Sequence, residues 1–100
     1  MNQNEFLTTL ARVSGSYKWD YYTDNRLLGV RGNKTYNPVT AVAHSLGHGT
    51  FPTTKRGTLQ AARKIGMTQN LANAVYSQSN RGHAQIVRGK MLNIFNLETV

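Results

Sequence analysis

The chain has 100 residues, with 12 Lys and Arg against 4 Asp and Glu, a formal net charge of +8 and no cysteine. That composition excludes disulfides, thiolate chemistry and cysteine-ligated zinc, and the length is that of one domain spanning 1–100. The first residues are polar, and no run suits a signal peptide or approaches the roughly 18 apolar residues of a membrane span, so the expectation is a soluble cytoplasmic protein with no membrane partner.

The acidic residues sit near the two ends. Between Asp24 and Glu98 there is none, whereas Arg26, Arg31, Lys34, Lys55, Arg56, Arg63, Lys64, Arg81, Arg88 and Lys90 all fall in that interval. A soluble domain normally mixes both signs. A field of one sign attracts polyanions and speeds their encounter, and nucleic acid is the polyanion whose phosphates supply sequence-independent affinity.

Phe6, Leu7, Leu10 and Val13 recur at helical spacing and predict a first helix over 4–14, with Asn2 or Asn4 as its cap. Ser14-Gly15-Ser16 ends it. Residues 17–22 alternate, with Tyr17, Trp19 and Tyr21 on one face, and 27–31 read as the returning strand of a β-hairpin, with the turn at 23–26. Residues 32–36 read as a loop. Asn37-Pro38 suits a second helix start, because proline at the first helical position has no N–H to leave unpaired. Its buried stripe is Val39, Val42, Ala43 and Leu46, and Gly47 and Gly49 stop it.

After a loop over 48–54, a third helix is predicted at about 54–65, with Leu59, Ala62 and Ile65 inward. Gly66 ends it, and Thr68 caps a fourth helix over 69–79 with Leu71, Ala72 and Val75 inward. Asn80-Arg81-Gly82 reads as a turn. A fifth helix over 83–95 turns Ile86, Val87, Met91, Ile94 and Phe95 to the core. The expected class is α+β, about five helices with one small β-hairpin at residues 17–31.

Within that layout, residues 58–79 resemble a helix-turn-helix. Two helices crossing closely need a small residue, here Ala62. The chain then turns sharply, and Gly66 tolerates the positive φ that such a turn requires. Met67 plugs the corner, Thr68 caps the second helix and Val75 anchors it. The exposed face would present Gln69, Asn70, Asn73 and Ser77 to bases, since Gln and Asn make bidentate contacts to adenine. Lys55, Arg56, Arg63, Lys64 and Arg81 would hold phosphates, so that cations position and amides read. The same residue pattern also suits a purely structural helix corner.

Other chemistry finds little support. His44 and His48 are four apart, but Gly47 separates them and no carboxylate or cysteine completes a metal set. Asp20 and Asp24 flank or occupy the hairpin turn, where solvated carboxylates are expected. Ser45 adjoins His44 but points elsewhere on a helix. The glycine pairs at 29–32 and 47–49 lack phosphate-loop spacing. No enzyme and no cofactor are expected. Tyr17, Trp19 and Tyr21 suit a core better than a base-stacking face.

The arrangement of Glu5-Phe6-Leu7, Trp19, Pro38-Val39-Thr40-Ala41-Val42-Ala43 and Ala61-Ala62-Arg63-Lys64-Ile65-Gly66-Met67 resembles a group of small phage and prophage proteins. Asn37 stands where those proteins often have cysteine. The resemblance implies a virus-encoded accessory protein inside a bacterial host. DNA is the favoured partner over RNA. The alternative is a module that docks on a host protein through the same basic surface. A dimer is compatible with either, and the sequence leaves the oligomeric state open.

Overall fold

A computed structural model describes residues 1–22, 26–80, 85–87, 90–92, 95 and 97. Helix α1 (Gln3–Val13) leads through a short 3-10 turn (Ser14–Ser16) into strands β1 (Lys18–Tyr21), β2 (Leu27–Arg31) and β3 (Lys34–Tyr36). Helices α2 (Pro38–Ser45), α3 (Lys55–Lys64) and α4 (Gln69–Ser79) follow, then strands β4 (Gln85–Val87) and β5 (Lys90–Leu92). The class is α+β, with four helices among the described residues and an antiparallel three-stranded sheet in the order β1-β2-β3.

The N-terminal half follows its local chemistry. Asn2 accepts from the Glu5 amide at 2.8 Å, and Glu5 returns the bond by accepting from the Asn2 amide at 2.9 Å. This reciprocal cap satisfies two donors that helix geometry leaves without partners. Tyr17 and Trp19 are buried, and the Trp19 indole N–H donates to the Ser14 carbonyl at 2.9 Å. The aromatic strand face is therefore core.

Two expectations need correction here. Residues 32–36 are not a plain loop. Arg31 pairs with Lys34 across β2 and β3, so Gly32-Asn33 is a two-residue hairpin turn, with Gly32 at φ +65°. Such turns match the strand twist when positive φ is available. The described residues of the expected fifth helix over 83–95 are not helical either. Residues 85–87 and 90–92 pair as antiparallel strands, Ile86 opposite Met91. The Thr23-Asp24-Asn25 turn, His83 and Ile94 lie outside the described residues.

Helix α2 is the centre of the molecule. Pro38 through Ala43 are all buried, and α1, α3, α4 and the sheet pack around it. A helix apolar on every side belongs in the middle of a core. Leu46 is an exception to the predicted stripe: it caps the helix and is 47% exposed. A buried polar clamp fixes α2 against α3. Asn37 caps α2 by accepting from the Thr40 amide at 2.9 Å, and its Nδ2 donates to Thr58 Oγ1 at 2.8 Å. Thr58 Oγ1 in turn donates to the Thr54 carbonyl at 2.7 Å. Every member has a partner, the condition under which buried polar groups do not destabilise.

Candidate nucleic-acid interface

The corner between α3 and α4 has the local structure its residues imply. The Met67 amide donates to the Ala62 carbonyl at 2.9 Å, and the Gly66 amide to the Arg63 carbonyl at 3.3 Å. This pair of bonds closes a helix end through a left-handed residue, and Gly66 has φ +69°. Ala62, Met67, Ala72 and Val75 are buried, and Thr68 Oγ1 accepts from the Leu71 amide at 3.2 Å. Helices α2, α3 and α4 all pack on one another, which sets the outer faces of α3 and α4 in a fixed relation.

Gln69, Asn73 and Ser77 lie four apart and share one stripe of α4. The structure brings Asn73 and Ser77 together with Lys55. These three, with Tyr76 and Asn80, line a shallow groove of about 420 Å³ between the start of α3 and the second half of α4. Gln69 faces Arg63 instead, across a narrow cleft of about 30 Å³ over Leu59, Ala62 and Met67. Asn70 turns to the opposite flank of α4, where it lines a groove with Met1, Asn2 and Gln3. Gln69 and Asn70 are exposed, whereas Asn73 and Ser77 are half-buried.

Asn73 Oδ1 is fully enclosed and has no hydrogen-bond partner among the described residues. An unpaired buried acceptor is destabilising by about 1–3 kcal/mol.

The basic residues fall into distinct settings. Arg63 and Lys64 are exposed in the last turn of α3, and Lys55 and Arg56 are exposed in its first turn, which has no acidic residue. Arg81 lies outside the described residues. Two groove residues and a neighbour were not among the expected contacts. Tyr76 is on α4 and Asn80 is its C-cap, at the helical offsets that continue the Gln69–Asn73 stripe. Arg26 sits far away in sequence, at the start of β2. It donates from its guanidinium to the Thr53 carbonyl at 2.7 Å and to Asn80 Oδ1 at 3.4 Å, so it ties the sheet to the α3 approach and to the end of α4.

A second cluster surrounds Tyr17. Its buried hydroxyl lies 3.2 Å from the Ala41 carbonyl, 2.7 Å from His44 Nδ1 and 3.0 Å from Ser45 Oγ. His44 and Ser45 therefore meet through the phenol. The Tyr36 ring packs against the His44 ring at 4.6 Å, and the Arg31 guanidinium stands 5.8 Å from the Tyr17 ring centre. Burial lowers the proton affinity of His44, and the positive charges of Arg31 and then Lys34 lower it further. Among the described residues no three His, Asp or Glu side chains gather as a metal set, and no helix is long and apolar enough to cross a membrane.

No family model, no curated protein and no solved structure matches this chain.

Proposed function

We propose that this chain binds nucleic acid, DNA in preference to RNA, by laying the α3–α4 unit against a duplex. Its kinship to small phage and prophage proteins, and hence an accessory role in a bacterial host, belongs to the same proposal. The observation that carries the reading is the groove between α3 and α4. It sets a cation, Lys55, beside the polar side chains of Asn73, Ser77 and Asn80. Asparagine and glutamine amides are side chains that can pair with adenine in the major groove.

The setting of Lys55 and Arg56 strengthens it. A helix N-terminus carries partial positive charge, so cations in the first turn oppose the fold's own field. The same helix end, with its partial positive charge and two exposed cations, suits a phosphate. Lys55 and Arg56 would thus hold the DNA backbone while Gln69, Asn73 and Ser77 approach base edges. Asn70, on the other flank of α4, would contact a neighbouring phosphate or sugar rather than the same bases.

Binding to a short duplex, measured by fluorescence anisotropy across a salt series, tests the proposal. Affinity should fall steeply with salt, and Lys55→Gln should lower the slope by about one unit. Gln69→Ala should change the preferred sequence with little change in slope. Absence of salt-dependent binding to DNA or RNA, together with a stoichiometric protein partner that survives nuclease treatment of a host lysate, would instead support the docking-module reading.

A further inference from the structure

We infer that the β2–β3 hairpin is a second phosphate-gripping element, which holds the backbone of the same nucleic acid beside the segment that α4 contacts. This rests on the reading that the chain binds nucleic acid, and it adds a part of the molecule with no role in the helix-turn-helix pattern.

Arg31 and Lys34 are direct partners across the hairpin, and both are exposed. Like charges placed opposite one another destabilise a strand pair. Natural hairpins more often oppose unlike charges, so this local conflict with foldability calls for a compensating use. The same two cations also bear on His44, half-buried behind them. The hairpin tip is thus a concentrated positive site with an imidazole at its base. A phosphate set between Arg31 and Lys34 would turn the repulsion into attraction on both sides.

Two grooves lie between this tip and α4, and their linings adjoin in sequence at Thr54 and Lys55. A groove of about 580 Å³ runs from Asn33 and Lys34 to Thr53 and Thr54, the residues that lead into α3. Thr54 caps α3 through its hydroxyl, which accepts from the Gly57 amide at 3.1 Å. The α3–α4 groove begins one residue later, at Lys55. Arg26 bridges a residue of each groove, because it donates both to Thr53 on one and to Asn80 on the other. Lys34, Thr35, Thr50 and Thr53 supply a cation and hydroxyls along the way, the donor types that meet phosphate oxygens and carry no sequence information. The occupant that suits this path is a repeating anion, the sugar-phosphate backbone.

The same anisotropy experiment, run on R31Q, K34Q, the double variant and K55Q, separates the outcomes. Each hairpin substitution should flatten the salt slope by about one unit and the double by about two, with sequence preference unchanged. Arg31→Lys and Lys34→Arg should keep the wild-type slope. Thermal melts serve as the folding check, since removing a like-charge pair should leave the midpoint unchanged or raise it. A second readout is the His44 imidazole followed by NMR: bound phosphate should raise the pH at which it protonates. If K55Q flattens the slope while the hairpin variants retain it and His44 titrates identically with and without DNA, the hairpin inference is overturned and the α3–α4 reading stands. If the wild-type chain binds no nucleic acid, both fall.

Discussion

The α3–α4 corner and the β2–β3 hairpin are both tight turns built on a glycine at positive φ, yet they treat charge in opposite ways. At the corner, Arg63 and Lys64 occupy the last turn of a helix, where cations complement the partial negative charge of the exposed carbonyls. Those charges stabilise the fold whether or not a partner exists. Arg12 in the last turn of α1 is placed similarly. At the hairpin, Arg31 faces Lys34, and at the other end of α3 Lys55 and Arg56 oppose the helix field. Both placements oppose the local electrostatics of the fold, although Arg31 is partly offset by its position over the Tyr17 ring. A net charge of +8 is therefore a poor guide to a binding face when taken whole. The informative cations are those set against the local field, and two of them, Lys34 and Lys55, line the two grooves.

The sharpest way to break this comparison starts with packing, where effects are largest. Met67 is buried under the corner, and Met67→Ala should lower stability by about 2–5 kcal/mol, read by urea or thermal unfolding. The turns come next. Gly66→Ala and Gly32→Ala both force a side chain into left-handed backbone, which costs roughly 1–2 kcal/mol. Gly66→Ala should be the worse, because its new methyl would sit 3.1 Å from the Met1 nitrogen, while the space at Gly32 is open. Equal losses would show that backbone strain alone sets the cost.

Charge reversal has smaller effects but opposite signs at the two sites. Lys34→Glu replaces a like pair by an unlike one and should stabilise by about 0.2–1 kcal/mol. Lys64→Glu should destabilise by about 0.3–1 kcal/mol at low salt, with both effects fading as salt is raised. If both reversals shift the melting midpoint in the same direction, the division between fold-serving and partner-serving cations fails.

The smallest expected effect is on pH. His44 is harder to protonate folded than unfolded. As pH falls through the unfolded value near 6.5, the unfolded chain takes up the proton first, so stability declines and levels off only below the lower folded value. The groups around the ring are Tyr17, Tyr36, Ser45, Arg31 and Lys34. Lys34→Gln should narrow that window, and His44→Gln should remove this part of the pH dependence. A His44→Gln melt with unaltered decline between neutral pH and pH 5 would assign the effect to other groups.

Much of the helical architecture was legible because its signals agree. The Asn2 and Asn37 caps, Pro38, Thr68 and the helical spacing of Phe6, Leu10, Ala62, Leu71 and Val75 all indicate the elements that form. The misses have physical causes. Strand β3 is three residues long, too short for alternation to register, and the Gly32-Asn33 pair that makes the hairpin was the better signal. Residues 83–95 offer apolar residues at spacings that suit a helix as well as a strand, an ambiguity that periodicity does not resolve in short runs. Gly89 inside that stretch argues against a helix by about 1 kcal/mol, and its position between two β-prone runs points to strands. Leu46 was assigned inward because it fits the stripe, but the helix ends at Ser45 and the capping residue turns outward.

The candidate site was legible as residues but not as a surface. The stripe of Gln69, Asn73 and Ser77 follows from helical spacing alone. Its meeting with Lys55 depends on how α3 and α4 pack, and the part played by Arg26 depends on a contact across most of the chain. Asn70 shows the limit of reading a face from neighbouring positions, since one step along a helix turns a side chain by about 100° and carries it to another flank.

The most direct measurement is the salt dependence of duplex binding for wild type, R63Q/K64Q and K34Q/K55Q. The account predicts salt-sensitive binding in which K34Q/K55Q loses about two units of slope, because both cations meet phosphate, while retaining its thermal stability. R63Q/K64Q should lose stability as well as slope. Wild-type binding that ignores salt, or a K34Q/K55Q slope indistinguishable from wild type, would contradict it.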